Sequence, residues 1–319
     1  MTTLRNPHFD DDRVVWDDSY SGLYEPVPYE EQFDGQWRLH REGATGYVNH
    51  TGVETDDEYI DDRILELTGV KDVLLRRQHG EAAADVALRT GRTERAERRG
   101  VGGRLHLEPK FPLDYFVAKQ CLDLGCGVGR WTKTLTALGG KVKATDVSES
   151  ALWSVRRFTD DFERLDLFDI NDRRPDLHEA FDFTLCWGVI MCTHDPKLAF
   201  ENVARTVRPG GAMYAMVYAP TYHVSEFVLK ARKHYHRALT SPEERADYVR
   251  ELTKDDRENA INYHDMLNTF YNWTITESTL ESWFQRAGFE QPVFLNKNEM
   301  NKCAHHVLST KRLAATTLI

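Results

Sequence analysis

No stretch of the 319 residues approaches the roughly 18 consecutive apolar residues that a membrane-spanning helix needs. The first ten residues, Met1 to Asp10, lack the apolar core of a signal peptide, so export by that route is not expected. The five cysteines, Cys121, Cys126, Cys186, Cys192 and Cys303, form no CxxC pair. Four of them fall in segments that read as buried strands or strand ends, which leaves neither a disulfide framework nor a zinc site to expect. Internal repeats and low-complexity tracts are absent as well. The sequence reads as a reduced, cytosolic, soluble protein with no membrane partner.

Basic side chains are outnumbered, 41 Lys and Arg against 51 Asp and Glu. The formal net charge is −10, and residues 1–70 alone hold 17 acidic and 5 basic side chains. Phosphate-backbone binding needs a basic face, and only the stretch from Arg76 to Arg104 offers one. There Arg89, Arg92, Arg95, Arg98 and Arg99 share helical spacing with Glu94 and Glu97, the pattern of a solvated face with mixed ion pairs. A nucleic-acid substrate is therefore disfavoured.

What is present divides the chain in two. Residues 1–111 are aromatic and acidic, with no alternation long enough to start a sheet. Helices are expected from about Asp56 to Leu67 and from about Gly80 to Arg98, followed by a linker up to Pro112. From Gln120 the texture becomes an alternation of short apolar strands and helices. Strands are expected at Cys121–Leu124, Lys141–Thr145, Arg164–Phe168, Phe181–Val189 and Ala212–Tyr218, the last after a turn at Pro209-Gly210-Gly211. Ser148 and Asp195 cap two of the intervening helices, the second with Pro196 at its first position. Such alternation argues for a parallel, doubly wound α/β sheet with helices on both faces. Residues 219–263 read as a charged helical insertion in which His234 and His236 belong to the surface. A helix over Thr276–Ala287 and two closing strands, Phe289–Leu295 and Ala304–Ser309, complete the chain as an antiparallel pair at the sheet edge.

One constellation carries chemistry. In Leu122-Asp-Leu-Gly-Cys-Gly-Val-Gly-Arg130, Gly125, Gly127 and Gly129 sit where a strand must turn into a helix and let a ligand approach the backbone. Seventeen residues after Gly129 a second strand ends at Asp146, placed to accept both hydroxyls of a ribose. A dinucleotide loop wants glycine at position 130, where this chain has Arg130. Asp123, two residues before the first glycine, would repel a pyrophosphate yet suits a ligand carrying an ammonium and a sulfonium.

With these residues the sequence resembles the class I S-adenosylmethionine-dependent methyltransferases, strongly over about 112–218 and moderately from about Trp273 to the end. The resemblance implies a seven-stranded, mostly parallel Rossmann-like sheet with an N-terminal extension (1–111) and a methyltransferase domain (112–319), into which 219–273 is inserted after strand five. It implies S-adenosylmethionine as cofactor, with Gly125, Gly127 and Gly129 facing its methionine part. Asp146 and Val147 would meet the ribose, Asp169 and Ile170 the adenine, and Trp187 would pack as a wall. The position at which many small-molecule members carry a histidine after strand four is Cys192, with His194 two residues on. The Asn/Asp-Pro-Pro-Tyr/Phe signature of enzymes that methylate bases or glutamine is replaced by Trp187-Gly188-Val189, which argues against those acceptors.

Methyl transfer from a sulfonium is a direct displacement in which positioning does most of the work. The acceptor must lie above the carboxyl ends of strands four and five. The expected reaction is transfer to an N, O or S atom of a small polar metabolite. His264, Tyr271 and His223 are the candidates for contact or proton transfer, and Asp265 and Asn272 lie close by. Residues 1–111 are expected to fold over the site as a lid, the alternatives being a structural flank or a homodimer contact. The acidity of this segment favours a cationic or zwitterionic acceptor. Two other readings stay open: a methyltransferase of RNA or protein, and a silent cofactor-binding subunit.

Overall fold

The computed structural model describes residues 14–42, 57–70, 72–80, 111–221, 225–254, 263, 266–297 and 302–313. At its centre is one seven-stranded sheet in the order β3-β2-β1-β4-β5-β7-β6. Its strands are β1 (Gln120–Leu124), β2 (Lys141–Asp146), β3 (Phe162–Arg164), β4 (Phe181–Trp187), β5 (Val207–Tyr218), β6 (Val293–Phe294) and β7 (Ala304–Thr310). The first five pair in parallel. β7 runs antiparallel to both β5 and β6.

Two adjacent central strands, β1 and β4, are buried on both faces, as a doubly covered sheet requires. Leu122, Leu124, Cys186, Ala215 and Val217 join one core with Phe200, Trp283 and Phe284. The last three come from α6 (Pro196–Thr206) and α9 (Glu277–Arg286). Cys121, Phe183, Leu185 and Tyr214 point to the other face. There they meet Ile60 and Ile64 of α2 (Asp57–Thr68) and Trp131 and Leu135 of α4 (Arg130–Ala137).

The expected caps form. Ser148 Oγ accepts from Ala151 N–H at the start of α5 (Glu149–Val155), and Asp195 Oδ1 accepts from Leu198 N–H at the start of α6. Three expectations need correction. The third strand ends at Arg164, not Phe168, because Asp166 accepts from Phe168 N–H and turns Leu167–Asp169 into a 3-10 turn. Pro209-Gly210-Gly211 lies within β5 as an irregularity of register between Phe181 and Phe183. The sixth strand is only two residues long. The helix expected over Gly80–Arg98 lies almost wholly outside the described residues, and in front of it stands an unexpected short helix α3 (Val73–His79).

Between β5 and α9 the chain forms α7 (Glu226–Arg237) and α8 (Pro242–Thr253), which share a small core of Ala231, Tyr235, Val249 and Leu267. His234 is exposed as expected. His236 is not a surface residue: its Nε2 bonds the Leu267 carbonyl at 2.7 Å, and burial drives its pKa down to about 3.

Before the sheet, the N-terminal segment forms α1 (Tyr29–Glu42), a helix the composition of the region had not suggested. Its signal was present in Tyr29, Phe33 and Trp37, an aromatic stripe at i, i+4 spacing, and in Glu30 and Glu31 of the first turn. Among the described residues no helix is long and apolar enough to cross a membrane.

Candidate functional site

The carboxyl ends of β1 and β2 form the first half of the site. Gly125, Gly127 and Gly129 have φ of +73°, +52° and +91°, left-handed values that L side chains adopt at a cost. The loop is fastened from both sides: Gly125 and Cys126 N–H donate to the Thr145 carbonyl, and Gly127 N–H donates to Asp146 Oδ2 at 2.9 Å. Ser148 N–H donates to the other Asp146 oxygen at 2.9 Å. Asp123 lies beneath the loop, 1% exposed, and accepts from Thr132 Oγ1 at 2.6 Å.

Both carboxyls are buried, and among the described residues neither is ion-paired. Burial raises the Asp123 pKa to about 7 and that of Asp146 to about 6, against the N–H and O–H donations that pull the other way. A buried carboxylate short of positive charge is an unfavourable arrangement alone. A ligand bringing an ammonium and a sulfonium over this loop would relieve it, so the donor set fits S-adenosylmethionine.

Above the carboxyl ends of β4 and β5 three distant pieces of chain converge. Residues 190–195 follow β4, residues 270–276 follow the insertion, and residues 14–29 come from the N-terminus. Trp273 N–H donates to the Met191 carbonyl and Ile275 N–H to the Tyr218 carbonyl, so this extended segment crosses the ends of both strands. On its outer side Thr274 N–H donates to the Val14 carbonyl, and Trp16 N–H donates to the Thr274 carbonyl. Trp273 Nε1 reaches the Thr193 carbonyl at 3.0 Å. Trp16, Tyr20 and Tyr24 pack around the Trp273 ring with centroids 4.9, 5.7 and 5.2 Å away. Tyr29 Oη accepts from His194 N–H at 2.7 Å and lies 2.8 Å from His194 Nδ1.

A family model described as a methyltransferase domain matches residues 78–291. The chain belongs to that family. It is an S-adenosylmethionine-dependent class I methyltransferase. It is 26% identical over 171 residues to a ubiquinone biosynthesis O-methyltransferase of Aromatoleum aromaticum, covering 48% of this chain and 68% of that one. It is 31% identical over 105 residues to the secondary metabolism regulator laeA of Coprinopsis cinerea, covering 33% of this chain and 26% of that one. The chain spans 41% of a third relative, the ubiquinone biosynthesis O-methyltransferase of Hydrogenovibrio crunogenus. Among solved structures it resembles an S-adenosylmethionine-dependent methyltransferase from Mesorhizobium loti, at 15% identity and a TM-score of 0.41, over 61% of this chain and 92% of that one.

Within this methyltransferase the residues singled out in the sequence are distributed unevenly. Asp123, the three glycines and Asp146 gather at one point, and Val147 follows Asp146 with its side chain packed on the core. Trp187 ends β4 on the α4 face, where the Arg130 guanidinium sits 4.7 Å above its ring and Tyr59 Oη accepts from Arg130. Asp169 is turned to the surface in an ion pair with Arg173, and Ile170 is wholly buried beneath it. Tyr271 lies inside the aromatic cluster, stacked on Trp273, with its hydroxyl donating to the Glu25 carbonyl at 2.8 Å. His223, His264 and Asp265 lie outside the described residues.

The sequence had not pointed to Asp166 or Phe168 as site residues, and the fold brings both to this edge together with Asp34 and Trp37 of the N-terminal segment. Asp166 is half-buried just past β3, where Leu165 N–H donates to the Asp146 carbonyl. Phe168 faces the His194 ring at 4.4 Å. Asp34 Oδ1 accepts from Ser148 Oγ and Ser150 N–H, and Trp37 lies over Gly127. The missed signal for Asp166 was its place as the first acid after the third strand. Reading Arg164 to Phe168 as strand concealed it.

Proposed function

We propose that this methyltransferase acts on an oxygen, nitrogen or sulfur atom of a small polar metabolite held beneath the N-terminal segment. The observation that carries this reading is the enclosure of the edge above β4 and β5 by residues 14–29 and 270–276 through backbone hydrogen bonds and buried aromatics. A seam closed by Trp16, Tyr29 and Trp273, each under 10% exposed, suits a small acceptor better than a protein side chain or a nucleic acid. The relatives named as ubiquinone biosynthesis O-methyltransferases favour oxygen as the atom methylated.

Bound S-adenosylmethionine supplies the activated methyl group, which passes to the acceptor by direct displacement. The chain's own residues bind, orient and exclude water. Asp146 takes the ribose hydroxyls, Asp123 lends negative charge beside the methionine ammonium, and Gly127 lets the ligand lie against the backbone. Asp166, half-buried in the turn just past β3, is better placed for the adenine than Asp169, whose carboxylate is paired with Arg173. On the acceptor side Asn272 is 7% exposed and its Oδ1 has no hydrogen-bond partner among the described residues, so it is available to a donor group on the substrate. His264 and His223, the imidazoles of the insertion, are the proposed bases where the acceptor's proton must leave early. The N-terminal segment is proposed as the lid.

The test is incubation with methyl-labelled cofactor and a fractionated metabolite extract, alongside the protein and RNA fractions, with mass spectrometry of labelled products. Label in a compound of small mass is expected. Label confined to protein or RNA would overturn the reading.

A further inference from the structure

Helix α1 lies over the glycine loop. A Cβ built on Gly127 would meet Trp37 Cζ2 at 3.2 Å and Cη2 at 3.3 Å, so the indole already lies in van der Waals contact with the glycine. A ligand using the backbone at Gly127 must approach from that open face, because on the other side the loop is fastened to Asp146. The same helix also seals the ribose side. Asp34, three residues before Trp37 and on the same helical face, bonds Ser148 Oγ at 2.8 Å and Ser150 N–H at 3.0 Å. It thereby holds α1 against α5 directly above Asp146, which is 7% exposed.

Further contacts keep α1 in place. Tyr29 bonds His194 and stacks 6.3 Å from Phe168, and Glu30 pairs with Arg164 at 2.6 Å on the surface.

We propose that Trp37 is an autoinhibitory plug: with α1 latched through Asp34 and Tyr29, its indole occupies the cofactor's place on Gly127. S-adenosylmethionine binds only to the minor population in which α1 has moved away. This inference rests on the assignment of the glycine loop to S-adenosylmethionine and adds a conformational control to it. The apparent affinity of a site that is open only a fraction of the time falls by that fraction. A closed-to-open ratio of about ten, for example, weakens apparent binding about tenfold. Removing the plug or its latch should then tighten binding and speed association, whereas removing a residue that merely holds the cofactor would weaken binding.

The experiment measures binding of tritium-labelled S-adenosylmethionine to the full chain by rapid filtration, for the wild type, Trp37→Ala and Asp34→Ala. Asp34 does not touch Gly127, so it tests the latch independently of the plug. Association in the wild type is expected to level off with rising cofactor concentration, as an opening step limits it. In both variants it should stay linear and be at least about fivefold faster, with a lower apparent Kd. Unchanged or weaker binding by folded Trp37→Ala, while the wild type binds, would overturn the plug and leave the cofactor assignment standing. Absence of binding by the wild type and both variants would overturn the cofactor assignment itself.

Discussion

The two halves of the site are built differently. The proposed cofactor half takes its glycine loop, Asp123 and Asp146 from 24 consecutive residues, and the hydrogen bonds that fasten the loop and Asp146 join near neighbours in sequence, Gly127 to Asp146 and Ser148 to Asp146. The proposed acceptor half is a seam between chain segments more than 160 residues apart, as in Tyr29 to His194 and Tyr271 to Glu25. A loop on a buried parallel sheet inherits its geometry from two strands, so it is rigid and specific. A seam depends on aromatic burial and on a few bonds from side chain to backbone, and its stability can be lost separately.

The most damaging test of that contrast is Trp273→Ala. The ring is wholly buried, packs against Trp16, Tyr20 and Tyr24, and donates to the Thr193 carbonyl. Truncating a buried tryptophan costs about 3–5 kcal/mol, and here the loss should fall on the seam. Denaturant unfolding should show the destabilisation. Protease cleavage within residues 14–42 should rise more than cleavage within 111–218. Equal sensitivity of both regions would mean that the two halves unfold as one.

Gly127→Val attacks the other half. The position combines φ of +52° with the Trp37 ring against it, so a branched side chain meets both backbone strain and a wall. Cofactor binding should fall at least about a hundredfold by calorimetry, equivalent to about 2.7 kcal/mol, with the unfolding transition shifted much less. Near-normal affinity would remove the loop from the site.

A smaller effect comes from pH. Asp123 and Asp146 have folded pKa values raised to about 7 and about 6, against an ordinary carboxyl near 4. The folded chain without ligand therefore retains protons that the unfolded chain has released. The stability this contributes is complete below about pH 4 and is lost as pH rises through 6 to 7. A cationic ligand favours the ionised form, so S-adenosylmethionine affinity should rise about three- to tenfold from pH 5.5 to 7.5. Calorimetry at pH 6 in two buffers of different ionisation enthalpy should show proton release, reduced in Asp146→Asn. Affinity independent of pH would place both carboxyls away from the ligand's charge.

The same contrast governs how much of the molecule was legible beforehand. The glycine loop, Asp146, the helix caps and the order of strands and helices follow from local rules, because each involves residues close together in sequence. The seam does not. Tyr271 read as a candidate for contact with the acceptor, because the residues that make it part of a packed seam, such as Glu25, lie some 250 residues away. Two local signals were also overridden. The apolar Leu165 and Phe168 resembled strand until the Asp166 side chain turned the backbone, and the Tyr29-Phe33-Trp37 stripe was hidden in an acidic segment.

The mildest perturbation separates structure from chemistry at Tyr271. Its hydroxyl donates to the Glu25 carbonyl, its ring is stacked on Trp273, and burial raises its pKa above the ordinary tyrosine value. A phenol held protonated, with its hydrogen committed to a backbone carbonyl, is poorly placed to take a proton from an acceptor. Its position joins residues 14–29 to the segment that crosses β4 and β5, which is a structural duty. Tyr271→Phe keeps the ring and deletes one hydrogen bond, so it should cost about 0.5–1.5 kcal/mol of stability. Turnover should fall less than about threefold, with an unaltered pH profile. A general base, by contrast, supplies roughly 10²–10⁴ in rate, and its removal flattens a limb of that profile. A loss of that size in a folded variant would move Tyr271 from the seam into the chemistry, and the acceptor half would then be as finely built as the cofactor half.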